Sequence, residues 1–194
     1  MRPPEEALVP FRREQAGLDF TYQPVGTTAG WRGETKPPAG FRFDRATASL
    51  GSGQAAFEAA ADALRRWRAF DVGWAEVWPT DEPPEPGLVV VVRARVFVLW
   101  TRHACRVIYV LDDEQGPLRR YGFGYGTLPG HAETGEERFL VTWDRESDEV
   151  TYEVAAFVRP RHPLAVLAAP YAKWLADRFR RGVAAAMRRA VAGA

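Results

Sequence analysis

From Gly87 onward the chain alternates apolar and polar positions with period two. Val90, Val92, Ala94, Val96 and Val98 share one face, and Arg93 and Arg95 lie on the other. This predicts a strand over 88–99. A second follows over 102–112, where Arg106, Ile108 and Val110 alternate with Cys105, Val107 and Tyr109. After a turn at 113–117 come two arms, 119–128 and 132–143, around a Pro129-Gly130-His131 corner, and then a last strand over 149–159. Connections this short dictate an antiparallel meander. Upstream, 41–50 reads as another strand. Its apolar phase moves from Phe41 and Phe43 to Ala46, Ala48 and Leu50, which predicts a bulge or break near Arg45.

Elsewhere the apolar spacing changes to three and four. Phe57, Ala60, Ala61, Leu64 and Trp67 form one stripe, predicting a helix near residues 53–69. Gly51-Ser52-Gly53 opens it, with Ser52 as the N-cap. The same loop could cradle a phosphate, but it lacks the Lys-Ser/Thr end of a P-loop and the dinucleotide spacing. Pro160 to Pro163 stop the sheet. Leu167, Tyr171, Trp174, Leu175, Phe179, Val183, Met187 and Val191 then mark a long C-terminal helix, which Pro170 kinks or starts. The class is therefore α+β: a curved antiparallel sheet of about six strands covered by the C-terminal helix, the only element long enough to cover it. Residues 1–17 read as a loosely ordered N-terminal arm and 18–194 as a single domain. Within that domain 18–23 is a short strand or a clamp over the core, and 28–40, with Gly33, is loop.

Composition narrows the function classes. A chain of 194 residues fits one domain, and 46% hydrophobic residues with seven Trp supply a sizeable core. Lys+Arg 26 against Asp+Glu 25 gives no global electrostatic case for nucleic acid or an anionic membrane. The single Cys105 excludes an internal disulfide framework and fits a reducing compartment. The N-terminus has no apolar signal-like run, and no stretch reaches the ~20 apolar residues that span a bilayer. The expectation is a soluble cytoplasmic protein with no stable membrane insertion and no nucleic-acid partner. Its oligomeric state stays open.

The richest stretch is 120–143. Gly122, Gly124 and Gly126 share one strand face, where missing side chains let the sheet bend or another backbone approach. Tyr121, Phe123 and Tyr125 occupy the other. They either fill the core or wall a largely apolar site with a few polar groups.

Several strings in this chain resemble one family: TYQPVGTT (21–28), Leu50-Gly51-Ser52-Gly53 with Phe57, Ala60, Leu64 and Trp67, FDVGWAE (70–76), Cys105-Arg106-Val107, FVRP (157–160), and above all YGTLPGHAETGEERF (125–139). Together with the basic C-terminal helix they are similar to the bacterial and plant proteins of uncharacterised protein family 0548, a domain-of-unknown-function family, over about residues 18–187. The resemblance implies a relationship to the Bet v 1-like, or START-like, helix-grip group, which holds hydrophobic small molecules between sheet and helix. It implies no catalytic residues. The family often has Asn-Pro before the Cys-Arg-Val strand, where this chain has His103-Ala104.

The leading expectation is therefore a helix-grip protein binding an apolar or amphipathic small molecule, with no cofactor and no metal. Tyr121, Phe123, Tyr125, Trp143 and Trp174 would supply wall, and Tyr125 with Glu133 or Glu137 the orienting polar contacts. An alternative is a cyclase, dehydratase or hydrolase in which His131 works as general base beside Glu133. A third is a non-catalytic interaction module using the N-terminal arm and the Trp74/Trp78 loop. Glu136 is expected to pair with Arg138, or with Arg93 or Arg95 across the sheet. His103 and Cys105 share a face with metal-ligand character, but a structural zinc needs more thiolates than one Cys provides. Cys105 reads as a small buried hydrophobe. Lys173, Arg178, Arg180, Arg181, Arg188 and Arg189 make the last helix basic, which a solvated face explains.

Overall fold

The computed structural model describes residues 2–31, 36–161 and 169–193. The expectations for Gly33, Pro163 and Leu167 fall outside them. Helix α1 spans Leu8–Ala16, strand β1 Arg42–Ser52, helix α2 Gly53–Arg65 and the short strand β2 Ala75–Trp78. The meander follows as β3 (Val89–Val96), β4 (Leu99–Gln115), β5 (Leu118–Thr127), β6 (Glu133–Asp144) and β7 (Glu149–Pro160), and helix α3 (Ala169–Ala192) closes the chain. All seven strands pair antiparallel in one sheet, in the order β1-β7-β6-β5-β4-β3-β2. This is the helix-grip architecture: a curved antiparallel sheet with a C-terminal helix against its inner face.

The inner face and both long helices share one core. Val90, Cys105, Val107, Phe123, Phe139, Val141, Tyr152 and Val154 from the sheet meet Phe57, Leu64 and Trp67 at α2 and Val183 and Met187 of α3. Burying each such side chain fully stabilises the fold by roughly 1.5–3 kcal/mol. α3 is also tied along its length. Arg180 pairs with Asp44, Arg188 donates to Ser49 O and Arg189 to Asp71 O.

Four details of the chain differ from the sequence expectation. The long strand over 88–99 turns at Phe97, which adopts φ 54°, so β3 ends at Val96 and β4 begins at Leu99. Trp74 precedes and Trp78 ends an additional strand, β2, at the sheet edge. β1 has no break at Arg45: its register is regular there, and the shift lies between Ser49 and Gly51. The apolar phase changes because both faces of β1 are covered in turn, with Phe41 and Phe43 on an outer cluster and Ala46, Ala48 and Leu50 on the inner core. Ser52 precedes α2 but makes no side-chain cap, and Gly53 N–H donates to Asp148 O instead.

The outer face is covered by the chain's own N-terminal segment. Thr21 N–H donates to Thr127 O, and Tyr22, Trp31, Ala155 and Phe157 form a second small core with Phe20, Phe41 and Phe43. The glycine row of β5 makes this possible. A Cβ on Gly124 would stand 2.4 Å from the Tyr109 ring, and one on Gly126 would stand 2.2 Å from the Tyr22 hydroxyl. The glycines thus leave room for rings on the outer face. Residues 1–17, expected as a loosely ordered arm, contain α1, which is docked. Leu8 is buried, Arg12 pairs with Glu82 and donates to Val89 O, and Gln15 accepts from Gly130 N–H.

One buried carboxylate holds the outer strap. Glu136 accepts from Tyr22 Oη at 2.8 Å, Gly26 N–H at 2.8 Å, Thr28 N–H at 2.7 Å and the Thr28 hydroxyl. The expected pairing of Glu136 with Arg138, Arg93 or Arg95 is not formed. Arg138 donates to Thr28 O and Trp31 O and pairs with Glu153, and Arg93 pairs with Glu76. Among the described residues no helix is long and apolar enough to cross a membrane. Removing the acceptor leaves several buried donors orphaned. Glu136→Ala is expected to destabilise the protein by about 3 kcal/mol or more. Chemical denaturation measures the loss, and amide exchange should accelerate first at Gly26 and Thr28.

Candidate functional site

A cavity of about 390 Å³ lies between the inner sheet face and the first half of α3. It exists because α2 covers only part of that face. Phe123 packs edge-on to Trp67 at 4.9 Å, and Trp143 lies against Phe57 at 6.4 Å, so the β5–β6 region beneath α2 is filled. Toward β2 and β3, among the described residues, the sheet is covered by α3. There Trp74, Val92, Ala94, Leu175 and Phe179 form apolar walls.

One end of the cavity is polar. Glu133 and Glu137 reach it from β6, Tyr125 from β5, His103 from β4, His131 from the corner after Pro129-Gly130, Asp44 from β1 and Arg180 from α3. The two glutamates share this face because β6 keeps regular register with β7 from Glu133↔Pro160 to Glu137↔Ala156. Gly135 sits between them at φ 150°, where a Cβ would lie 1.9 Å from Phe157 O. Only glycine fits that close approach.

Glu137 stands directly across from Tyr125 in the ladder and accepts its hydroxyl hydrogen bond at 2.7 Å. Burial pushes the Glu137 carboxyl up to about 7, against the opposing pull of the Tyr125 hydrogen bond and of Arg180. Burial likewise raises Glu133, partly offset by Arg42. The two histidines move the other way. Burial lowers His131 to about 3, with His103 adding to the effect, and lowers His103 to about 4. Their ring centroids are 4.8 Å apart. Both rings are neutral at pH 7, so each carries one proton.

His131 Nδ1 contacts both the Glu133 N–H, at 2.9 Å, and the Glu133 carbonyl, at 3.1 Å, so either ring tautomer finds a partner there. Hydrogen bonding does place the His103 proton. Thr101 Oγ1 donates its own hydrogen to Ala94 O and lies 2.8 Å from His103 Nε2, so it accepts from that nitrogen. His103 Nδ1 is left as a bare acceptor, buried and without a partner among the described residues.

Of the residues expected to form the site, Tyr125, Glu133 and Glu137 line the cavity, as does His131. Tyr121, Phe123 and Trp143 do not. They share the inner face but lie beneath α2, with Arg65 over the Tyr121 ring at 4.1 Å. Trp174 is 49% exposed and stacks on Tyr171. The expected side-chain pairing of His131 with Glu133 is replaced by a backbone contact. Sequence reasoning missed Asp44 and Arg180, and it considered His103 only as a metal ligand. The available signal for His103 was its period-two spacing from Cys105, which puts both on the inner face. The Trp74/Trp78 loop, expected as a surface for another protein, instead turns Trp74 into the cavity against Phe179. Cys105 is fully buried, burial raises its thiol, and the described residues contain no group of three or more potential metal ligands.

The family described as "Domain of unknown function (DUF1990)" matches residues 21–186. Similar proteins include the UPF0548 protein of Deinococcus radiodurans, 34% identical over 186 residues, covering 88% of this chain and 87% of that one. The UPF0548 protein of Dictyostelium discoideum is 31% identical over 146 residues, covering 72% and 68%. That of Arabidopsis thaliana is 34% identical over 145 residues, covering 73% and 69%. Among solved structures, the crystal structure of Ara h 8.0201 is similar at TM-score 0.47 and 12% identity, covering 80% of this chain and all of that one.

The Glu137 carboxyl ties stability to pH. Its folded value of about 7 exceeds the ordinary value of 4.5, so the folded state holds the proton more tightly. The favourable contribution is complete below about pH 4.5 and is lost as pH rises toward 7. Glu137→Gln keeps a neutral side chain at every pH. The difference in unfolding free energy between variant and parent should therefore grow in the variant's favour from pH 4.5 to 7, by on the order of 3 kcal/mol. Urea titrations across that range measure it, and a flat difference curve would contradict the assignment.

Proposed function

The chain belongs to the DUF1990 family, and from the geometry of its cavity we propose that it binds an amphipathic small molecule between the sheet and α3. The supporting observation is the cavity itself: about 390 Å³, walled by Trp74, Val92, Ala94, Leu175 and Phe179, with its polar groups gathered at one end. An apolar body fits along the walls, and a polar head reaches Tyr125, Glu133 and Glu137. Binding sites for small molecules have this division between apolar walls and a few polar groups that fix orientation. A cytoplasmic location belongs to the same proposal, supported by the single unpaired Cys105.

Native mass spectrometry of the purified protein tests this by detecting a co-purified molecule. A neutral apolar dye such as Nile red provides the quantitative assay. Ala94→Trp, which fills the cavity from β3, is expected to weaken dye binding at least tenfold, whereas a substitution at the exposed Leu99 should not. Equal dye affinity in parent and Ala94→Trp would overturn the binding reading.

A second reading, an acid–base enzyme of cyclase, dehydratase or hydrolase type, is favoured by one observation. A carboxyl that titrates near neutrality, Glu137, faces the same cavity as the His131 ring. The working pair would then be Glu137 with Tyr125, with the neutral His131 ring as a hydrogen-bonding partner for substrate. General acid–base catalysis contributes about 10²–10⁴-fold. A screen of small esters and hydroxy-ketones should then reveal turnover that Glu137→Gln reduces at least a hundredfold while dye binding persists. Turnover that survives Glu137→Gln would exclude this residue as the acid–base group.

A further inference from the structure

The polar end of the cavity is unbalanced in both charge and hydrogen bonding. Among the described residues four acidic ones line it, Asp44, Glu133, Glu136 and Glu137, against one cation, Arg180, and of the four Glu136 is already satisfied by donors from residues 22–28. Arg180 is already engaged: it pairs with Asp44 at 3.3 Å and with Asp177, and its side chain is 11% exposed. Asp44 is further held by Arg42 at 2.8 Å, and Arg42 is not part of the cavity wall. Among the described residues that leaves Glu133 and Glu137 facing the cavity with no basic side chain dedicated to either.

The hydrogen-bond inventory leans the same way. His103 Nδ1 is a buried acceptor with no partner among the described residues. The Glu133 carboxylate accepts no hydrogen bond from them, and Glu137 accepts one, from Tyr125 to Oε2. On the donor side the Tyr125 hydroxyl is spent on Glu137, and the Thr127 hydroxyl is shared with Thr21 and Gly135. The Tyr152 hydroxyl, which faces Glu137, also lacks a partner among the described residues. Against it stand His103 Nδ1 and the carboxyl oxygens of Glu133 and Glu137 that no described donor reaches. A buried acceptor left unpaired is destabilising, so the complementary head group is one that brings several N–H donors and a positive charge.

We propose that the polar end of this cavity takes a protonated amine carried on an apolar body. The inference rests on the binding reading of the same cavity and names the chemistry of the head group. The ammonium sits against Glu133 and Glu137 and donates to His103 Nδ1, and the apolar body lies toward Trp74 and Phe179. A carboxylate or phosphate head would instead meet two carboxyl groups, with the one cation among the described wall residues, Arg180, already paired.

Binding should also depend on pH. Glu137 titrates near 7 in the empty cavity, and a bound cation favours its ionised form. The groups that face it are Glu133 on β6, Tyr125 on β5, Cys105 on β4, Tyr152 on β7, Asp44 on β1 and Arg180 on α3. His103 and His131 titrate at about 4 and 3, below the working range. Amine affinity should accordingly rise between pH 6 and pH 8.

The test uses the full chain and three ligands with one body: octylamine, octanol and octanoate, titrated calorimetrically or by displacement of Nile red at pH 8. Octylamine is expected to bind at least tenfold tighter than octanol, with octanoate weakest, and to lose affinity at pH 6. Glu133→Gln and Glu137→Gln should each lower the amine-over-alcohol ratio about tenfold. Glu133→Gln lies at the less enclosed position and guards against a folding defect in the other. Octanoate binding as tightly as the amine, or an amine preference that survives both variants, overturns the head-group assignment while octanol and dye binding keep the cavity reading intact. Loss of binding for all three ligands and the dye removes the cavity reading and this inference with it.

Discussion

Two adjacent glutamates on β6 face opposite sides of the sheet, and the architecture depends on the outward one. Glu136 is buried and gathers four donors from residues 22–28. A buried carboxylate is tolerated only when its oxygens are satisfied, and here the chain's own N-terminal segment satisfies them. That segment must therefore lie on the outer face, and in doing so it covers a sheet surface that would otherwise expose Phe41, Phe43 and Phe157. The glycines of β5 are the steric counterpart: without side chains at 124 and 126, the rings of Tyr109 and Tyr22 fit against the strand.

Glu137, one residue on, has the opposite fate. The pleat turns it inward, where one hydroxyl is its hydrogen-bond partner and burial holds its proton to near neutral pH. The contrast carries the functional argument. Glu136 is satisfied by donors within the chain and reads as structure. Glu137, Glu133 and His103 keep acceptor capacity that the described residues do not use, and they keep it beside a cavity of about 390 Å³. Full packing of the inner face would require α2 to extend over β2 and β3. It ends at Arg65, and the chain then folds back through Phe70 and Trp74 to build the edge strand.

Much of the fold was legible because periodicity reports burial directly. The meander from β3 to β7, the α2 stripe and the C-terminal helix all follow from two- and three-to-four-residue spacing. Where reading failed, the causes differed. The phase change in β1 imitated a bulge because Phe41 and Phe43 have a core of their own. The turn at Phe97 was hidden because apolar alternation runs through it into β4, leaving Phe97, Val98 and Leu99 exposed at the hairpin tip. For the site, strand alternation correctly placed Tyr125, Glu133 and Glu137 on one face. It could not separate them from Tyr121, Phe123 and Trp143 on the same face, because only the position of α2 decides which of these are covered.

By itself the sequence determined the class, the antiparallel order of the meander, the covering helix and the family. Each of these is carried by local spacing or by a contiguous string such as 125–139. Only the tertiary structure decided which polar residues meet. His103, His131, Glu133, Glu137, Asp44 and Arg180 come from three strands, a corner and a helix, and no sequence spacing links these elements to one another. Sheet register and the seat of α3 bring them to one end of one cavity. The same long-range packing assigns Glu136 to the strap and Glu137 to the cavity, although the two are identical in chemistry and adjacent in the chain.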